Sequence, residues 1–280
     1  MKRIAAIHDI SGVGKCSLTA AIPVISALGI EVNPVPTAIL STHTGDIKGY
    51  TFRDLTDEIL PICRHWKELG IYPDTVYSGY LGSKLQIDAV KQVIDMFSED
   101  GRNPFIAVDP AMADSGILYK GFDSDFPALM ASLCEKADII VPNITEACLL
   151  TGSEYREEYG RDYIDRLTDK LEEITKQYVV ITGVSFEDGK TGCYVSDKSR
   201  REYFFTEKYP GTYYGTGDIF ASVLTGLMTK GKNCFDSAET ALRFTADSIA
   251  DTYRSQTDPR FGVAFEKYLP QLARLQEDLP

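Results

Sequence analysis

The sequence contains few histidines, a single tryptophan and no long apolar segment. Three of its 280 residues are histidines, at positions 8, 43 and 65, and its 6 cysteines form no C-x-x-C pair. This spacing gives no zinc-ligand pattern. No apolar run approaches the roughly eighteen residues that a membrane span needs, and the first residues do not resemble a secretion signal. We therefore expect a cytoplasmic protein with no membrane partner, whose reduced thiols pack in the core.

Basic charge is also scarce. The chain has 29 lysines and arginines against 41 acidic residues, a net charge of −12. Without a basic stripe, nucleic acid is disfavoured as a partner. The 44% hydrophobic content is ordinary for a globular protein. A phosphate compound would therefore have to be bound by backbone N–H groups or by Mg²⁺.

Short apolar runs alternate with helical patterns along the chain, which predicts an α/β fold with a doubly wound, mainly parallel sheet and helices on both faces. The predicted strands are Arg3–Ile7, Glu31–Val35, Thr75–Tyr77, Phe105–Val108, Ile139–Val141 and Tyr178–Thr182. The predicted helices are Ser17–Leu28, Arg53–Leu69, Leu85–Phe97, Ala128–Cys134, Arg161–Thr175, Asp218–Thr229 and Phe235–Tyr253. Residues 189–205 read as a hairpin, which predicts a small antiparallel edge. No linker is visible, so we expect a single domain over residues 1–280.

The segment HDISGVGKCSL, residues 8–18, looks like a phosphate loop but lacks its parts. A P-loop needs a glycine five residues before Gly14, where Asp9 stands, and a hydroxyl residue where Cys16 stands. A G-x-G-x-x-G fingerprint also fails, at Ser17. We expect this segment to follow the first strand, its glycines to make room for a flat ring, and Lys15 to be a surface charge.

The stretch YYGTGDIFAS places Gly215, Thr216 and Gly217 at the start of a helical pattern. Free N–H groups and the positive end of the helix dipole make such a position an anion site. Asp218 is then either an ordinary first-turn acid or a base for a hydroxyl group next to that site.

Two further segments offer oxygen ligands after buried strands. Asn143 and Glu146 have the spacing of a capping box, and the same residues could hold Mg²⁺ directly or through waters. Asp109, which precedes a proline, is either a turn residue or a second acid near that ion.

Hydroxyl groups and glycines are frequent in STHTGDIKGY, residues 41–50, and in SGYLGS, residues 78–83. His43 could act as a base, or be a hydrogen-bonded structural group. Tyr80 could stack on a planar ligand or simply pack in the core. Composition alone does not decide between these readings.

Taken together, Asn143-x-x-Glu146 followed by Gly215-x-Gly-Asp218 resembles the paired signatures of the ribokinase-like kinases. The runs similar to the pyridoxal kinase branch of that superfamily are STHT (41–44), SGYLGS (78–83), VDPAM (108–112) and VPNITE (141–146). The resemblance extends to about residue 250. It implies a ribokinase-like α/β fold and MgATP-dependent phosphorylation of the hydroxymethyl group of pyridoxal, pyridoxine or pyridoxamine.

The resemblance also implies roles for individual residues. Asp218 matches the catalytic base, and Gly215, Thr216 and Gly217 match the anion hole. The residues implied for ATP are Asp109, Asn143, Glu146, Thr182 and Gly183, of which the first three are also implied for Mg²⁺. The residues implied for the substrate are Asp9, Ser11, His43, Thr44 and Tyr80. Thr182 stands near a position where many relatives have a lysine, and either Asp9 or Ser11 could supply the ring contact.

Three alternatives remain open at this point. Hydroxymethylpyrimidine kinase has the same fold and a similar planar alcohol substrate. A sugar kinase is less favoured, because it leaves STHT and SGYLGS unexplained. A non-catalytic binding protein would not need Asp218. From the resemblance we also expect a homodimer, ATP and Mg²⁺ as cofactors, and a monovalent cation such as K⁺ as an optional one.

Overall fold

A nine-stranded sheet forms the centre of the molecule in the computed structural model, which describes residues 1–275. The strands of the chain are β1 (Arg3–Val13), β2 (Glu31–Thr42), β3 (Phe52–Asp54), β4 (Thr75–Ser78), β5 (Phe105–Val108), β6 (Ala113–Asp114), β7 (Ile117–Leu118), β8 (Ile139–Ile140), β9 (Tyr178–Val184), β10 (Lys190–Ser196) and β11 (Arg201–Glu207). The order in the main sheet is β11-β10-β9-β8-β5-β4-β1-β2-β3, and β6 and β7 pair separately.

The six central strands of the main sheet run parallel, and both of its edges are antiparallel. β10 pairs antiparallel with β9 and with β11, which confirms the hairpin predicted at this edge. At the other edge β3 pairs antiparallel with β2. That second edge was not predicted, because two of its three residues, Arg53 and Asp54, had been assigned to the start of a helix.

Helices cover both faces of the sheet and bury two apolar cores. They are α1 (Leu18–Ala27), α2 (Thr56–Glu68), α3 (Lys84–Phe97), α4 (Phe126–Cys134), α5 (Ile144–Thr151), α6 (Arg161–Ile174), α7 (Thr216–Thr229), α8 (Cys234–Arg254) and α9 (Leu269–Leu275). One core packs α2 to α6 against the sheet, and the other packs α1, α7, α8 and α9 on the opposite face. The predicted α/β fold is thereby confirmed.

The first two strands are much longer than predicted. β1 continues past Ile7 to Val13, and β2 continues past Val35 to Thr42. The two strands stay paired along this extension, with an irregularity between His8 and Ile10. The segment HDISGV is therefore strand, and only residues 14–17 form a loop before α1. The prediction failed because glycines are usually read as the end of a strand.

The helix predicted from Arg53 begins three residues later, at Thr56. The other predicted helices agree with the structure to within two residues at each end. All six cysteines are buried and free. Within the described part of the chain, no helix is both long and apolar enough to cross a bilayer.

Candidate active site

The carboxyl ends of the parallel strands meet at one edge of the sheet, where ligands bind in folds of this kind. The loops after β1, β4, β5, β8 and β9 reach this edge, as does the turn before α7. Most of the residues predicted for a site lie in these loops, near the ends of these strands or in the first turn of the helix that follows. The long β1–β2 extension projects beyond the same edge.

The helix α7 begins at a turn that only glycine can form. Gly215 has φ of 75°, and a Cβ atom on it would lie 2.2 Å from the Lys15 carbonyl oxygen. The Thr216 hydroxyl donates to the Tyr213 carbonyl at 3.1 Å instead of capping the helix. Among the described residues, the N–H groups of residues 216–218 have no hydrogen-bond acceptor. A Cβ atom on Gly217 would meet nothing within 4 Å, so this helix end is open to an anion.

Asp218 lies half-buried in the first turn of α7, beside the open N–H groups. Burial, together with a smaller effect of the negative charge of Asp9, raises the pKa of Asp218 to about 7. The backbone N–H of Ser17 donates to the carboxylate and acts in the opposite direction. A carboxyl group with a pKa near neutrality is well suited to accept a proton at neutral pH.

A small hydrogen-bond network surrounds Asp9, which is itself 5% exposed. The Ser17 hydroxyl donates to Asp9 Oδ1 at 2.6 Å, and the Ser11 hydroxyl donates to Asp9 Oδ2 at 3.0 Å. Burial raises the pKa of Asp9, and the two hydroxyl groups lower it. The structure therefore joins Asp9 and Ser11, the two candidates for a ring contact, in one buried unit. Because Ser11 is fully buried, Asp9 is the better placed of the two to meet a ligand.

The loop 14–17 connects this network to α7 and has an unusual backbone. Lys15 and Ser17 have φ of 48° and 50°, a region that costs free energy for residues with a side chain. A Cβ atom on Gly14 would lie 2.2 Å from His43 Cδ2, and one on Gly12 would lie 3.2 Å from the Ser41 carbonyl oxygen. The expectation that these glycines make room for a ring is therefore wrong, because they make room for neighbouring protein groups.

Lys15 is a partly exposed charge, in line with the expectation from the sequence, and it is paired. Its ammonium group forms an ion pair with Glu266 at 2.8 Å and donates to the Val263 carbonyl at 3.3 Å. It thereby ties the loop 14–17 to the segment near the end of the chain.

On the substrate side, Tyr80 is half-buried and Thr44 is exposed. Burial raises the pKa of Tyr80 to about 12, and the charge of Asp9 contributes to the rise, so the phenol is protonated at neutral pH. The Tyr80 ring lies 5.8 Å from the Phe122 ring. Thr44 is open to solvent, and the charge of Asp9 reaches the Tyr80 phenol. Contact of either residue with a substrate stays a prediction.

His43 is buried, and both of its ring nitrogens are bound to the backbone. The Gly45 N–H donates to His43 Nδ1 at 3.1 Å, so Nε2 carries the proton and donates to the Arg260 carbonyl. The ring stacks on Tyr214 with centroids 4.8 Å apart. In this arrangement the imidazole has no free nitrogen to act as a base.

Three acids lie close together behind the open end of α7. The pKa of Asp109 is raised well above its usual range, mainly by burial and then by the charges of Glu146 and Asp218. Burial also raises the pKa of Glu146. No hydrogen-bond donor contacts the Asp109 carboxylate from the described residues, so this buried acid has no compensating partner.

Asn143 and Glu146 form the capping box at the start of α5. Glu146 Oε2 accepts from the Asn143 N–H at 2.8 Å, and Glu146 Oε1 accepts from the Met112 N–H at 3.1 Å. The Asn143 amide donates to the Ala113 carbonyl at 2.8 Å. Both residues therefore fix the loop after β5, which carries Asp109.

The donor set at this place is compatible with Mg²⁺. No three His, Cys, Asp or Glu side chains in residues 1–275 are arranged to enclose a metal ion by themselves. Mg²⁺ usually takes only one or two carboxylates, together with waters and substrate phosphates. The unpaired Asp109 carboxylate fits such a site. Thr182, whose N–H donates to the Pro142 carbonyl at 2.9 Å, lies next to Asn143, and Gly183 follows it exposed, with φ of 75°.

Two residues of the site were missed from the sequence. Ser17 holds Asp9 and Asp218 through its hydroxyl and N–H groups, but in the sequence it reads as an ordinary helix start. Tyr119 follows β7, and its pKa is raised by burial and by the charges of Glu146, Asp109 and Asp218. The short β6–β7 hairpin that brings Tyr119 to the acids has no strong sequence signal.

Comparisons with known proteins agree with this architecture. The sequence model of the phosphomethylpyrimidine kinase family matches residues 14–260. A candidate phosphomethylpyrimidine kinase from Bacteroides thetaiotaomicron is 37% identical, with a TM-score of 0.92 and coverage of 100% of this chain and 94% of that chain. A second crystal form of that protein, with a TM-score of 0.91, contains pyridoxal.

Two further relatives are pyridoxal kinases by name. The enzyme from Lactobacillus plantarum is 31% identical, with a TM-score of 0.90 and coverage of 99% of both chains. A candidate pyridoxal kinase of Schizosaccharomyces pombe is 24% identical over 296 residues, which cover 98% of this chain and 92% of the relative.

The fold and the open helix end define a ribokinase-like kinase, and the chain belongs to the phosphomethylpyrimidine kinase family. It is a phosphotransferase of the pyridoxal kinase type, an enzyme that acts on an alcohol group.

Proposed function

We propose that this enzyme transfers the γ-phosphoryl group of ATP to the hydroxymethyl group of a vitamin B6 vitamer. The observation that carries the proposal is the position of Asp218. Its carboxyl group, with a pKa near 7, stands beside three N–H groups that have no acceptor in the described part of the chain. This arrangement supports a role for Asp218 as the base for the alcohol and for the helix end as the site of the transferred group.

The substrate side supports the same choice. The charge of Asp9 acts on both Tyr80 and Asp218, so a carboxylate and a phenol ring lie on the same side of the molecule as the proposed base, which would suit a flat ring with polar substituents. The relative from Bacteroides thetaiotaomicron, 37% identical, has been crystallised with pyridoxal.

In the proposed reaction Asp218 accepts the proton of the substrate hydroxyl group. The hydroxyl oxygen forms a bond to the γ-phosphorus of ATP, and the bond from that phosphorus to the bridging oxygen breaks and releases ADP. The N–H groups of Thr216, Gly217 and Asp218 stabilise the oxygens of the group in transfer. The backbone N–H of Ser17 lowers the pKa of Asp218 and thereby favours the carboxylate form that accepts the proton.

We assign the phosphate side to Asp109, Asn143 and Glu146, with Thr182 and Gly183 near the nucleotide. Asp109 would contact Mg²⁺, while Asn143 and Glu146 hold the loop that carries it. Bound Mg²⁺ would neutralise phosphate charge and offset the repulsion within this group of acids. We further propose a single domain over residues 1–280 and, from the resemblance to the pyridoxal kinases, a homodimer.

Hydroxymethylpyrimidine is the second candidate substrate. The observation in its favour is the match to the phosphomethylpyrimidine kinase family over residues 14–260. Its ring, like that of pyridoxal, is flat and carries a hydroxymethyl group. The same Asp218 and the same helix end would serve both substrates.

A coupled assay of ADP release tests the proposal. Purified enzyme with MgATP is given pyridoxal, pyridoxine, pyridoxamine or hydroxymethylpyrimidine in separate reactions. We expect the highest kcat/KM with a B6 vitamer. For Asp218→Asn we expect kcat to fall by about 10²–10⁴ because the base is lost, with no loss of thermal stability.

The possible results separate the candidates. A kcat for Asp218→Asn within a few-fold of wild type contradicts the role of Asp218. A higher kcat/KM for hydroxymethylpyrimidine than for all three vitamers favours the second candidate. Calorimetric binding of an alcohol without any ADP release would identify a binding protein instead of an enzyme.

A further inference from the structure

The buried imidazole of His43 is where three distant chain segments meet. The ring lies against Gly14, stacks on Tyr214 and donates a hydrogen bond to the Arg260 carbonyl. These residues belong to the loop 14–17, the turn before α7 and the segment near the end of the chain. The loop 14–17 and the turn before α7 border the proposed site, and the third segment packs against that loop through the Lys15–Glu266 ion pair.

The packing around the ring is too tight for it to move independently. A Cβ atom on Gly14 would come within 2.2 Å of the His43 ring, and one on Gly45 would come within 2.4 Å of the Tyr214 ring. His43 is 8% exposed, and its two nitrogens are held by Gly45 and Arg260. A displacement of the imidazole would therefore displace these neighbours with it.

Tyr214 connects this packing to the catalytic groups. It directly precedes Gly215, and its hydroxyl group donates to Asp46, so its side chain is fixed on two sides. The Gly215 backbone in turn rests on the Lys15 carbonyl. The loop 14–17 supplies the Ser17 N–H that holds Asp218.

We propose that His43 is a positioning residue: it fixes the turn before α7 relative to the loop 14–17, and so sets the geometry between Asp218 and the open N–H groups. The proposal rests on the proposed function. It gives His43 a role that does not require contact with the substrate. Phosphoryl transfer needs a precise distance between the base and the anion site. A displacement of about 1 Å between them can therefore lower the rate by up to about 10²-fold.

Three substitutions separate the parts of this role. His43→Asn keeps an acceptor near Nδ1, His43→Gln keeps a donor near Nε2, and His43→Leu removes both. His65 is an exposed histidine on α2, and His65→Leu is therefore the matched control. Tyr214→Leu removes the other side of the stack.

We expect kcat to fall by about 10-fold to 10²-fold in His43→Leu, and less in His43→Asn and His43→Gln, while both KM values change less than about threefold. His43→Leu and Tyr214→Leu should be non-additive in the double variant, because both remove the same contact. Hydrogen exchange at the amides of residues 213–219 should be faster in His43→Leu and unchanged in His65→Leu.

Unchanged kcat and unchanged exchange in His43→Leu would overturn the proposal. So would a loss confined to the KM of the alcohol with unchanged exchange, which would make His43 a substrate contact. If His43→Leu does not fold, His43→Asn and His43→Gln carry the same comparisons. If wild type phosphorylates no alcohol, the proposed function fails, and the exchange measurement alone decides whether His43 fixes the turn.

Discussion

At the scale of single residues, Asp218 combines burial with access to a reacting group. Its pKa is raised to about 7, mainly by burial, while the Ser17 N–H keeps the carboxylate in one orientation. A first-turn aspartate elsewhere is usually exposed and fully ionised. The environment, more than the residue type, therefore marks this aspartate as a base.

The raised pKa of Asp218 predicts the pH dependence of the reaction. Only the carboxylate form accepts a proton, so kcat/KM should fall about tenfold per pH unit below pH 7 and level off above it. The measurement is a pH series of kcat/KM for the preferred alcohol. The series runs from pH 5.5, about one and a half units below the pKa, to pH 8. A flat profile over this range would contradict the assigned base.

The sequence was sufficient to place residues 215–218 at the start of a helix, as the structure has them. Their roles came from the resemblance and stay predictions. The sequence was not sufficient for Ser17 or Lys15. The role of Ser17 depends on a positive φ that brings its N–H to Asp218. The role of Lys15 depends on Glu266, which is 251 positions away in the chain. Such contacts are set by the tertiary fold and leave no local pattern.

At the scale of elements, the start of α7 offers two neighbouring glycines with different constraints. Gly215 has a positive φ and no space for a Cβ atom, while Gly217 has space on its open side. A substitution at Gly215 therefore tests the stability of the turn, and a substitution at Gly217 tests its use as an anion site.

We predict that Gly217→Ala keeps its melting temperature within about 2 °C and lowers kcat/KM for ATP by tenfold or more, because the methyl group occupies the proposed anion site. Gly215→Ala should instead unfold at a lower temperature, since its methyl group would collide with the Lys15 carbonyl. Thermal melts and steady-state kinetics of the two variants make the comparison. Full activity in Gly217→Ala would rule out this helix end as the phosphate site.

Elements with a strong local signal were predicted well, and those that depend on a neighbouring strand were not. The capping box at Asn143 and Glu146 marked the start of α5, and the apolar periodicity marked α7. The extension of β1 through Gly12 and the strand β3 exist because β2 supplies the pairing. The residues of β1 and β3 alone carry no information about the pairing with β2.

At the scale of the whole molecule, the site concentrates negative charge that the fold does not neutralise. Asp9, Asp109, Glu146 and Asp218 all have raised pKa values because of burial. Without bound ligands, this group of acids weakens the folded state near neutral pH. The free energy gained by burying the two apolar cores offsets this destabilisation.

The effect on stability has a definite sign. The pKa of Asp218 rises from 3.8 in the unfolded chain to about 7 in the folded protein, so its cost is absent below pH 4 and grows as the pH rises through that interval. We predict that Asp218→Asn is more stable than wild type by about 1–3 kcal/mol at pH 8 and equally stable at pH 4.

Chemical denaturation at the two pH values, without nucleotide, measures this difference. Asp125→Asn is the control, because Lys84 lowers the pKa of that exposed aspartate, and its stability should not rise at pH 8. An equal change at both pH values for Asp218→Asn would show that burial does not raise its pKa.

The most direct test of the central claim is a competition between two alcohols. Wild-type enzyme is incubated with MgATP and equal concentrations of pyridoxal and hydroxymethylpyrimidine, and the products are identified by mass spectrometry. We predict pyridoxal phosphate as the main product, and no product with Asp218→Asn over the same time. Hydroxymethylpyrimidine phosphate as the main product, or equal product from the variant, would contradict the proposed substrate or the proposed base.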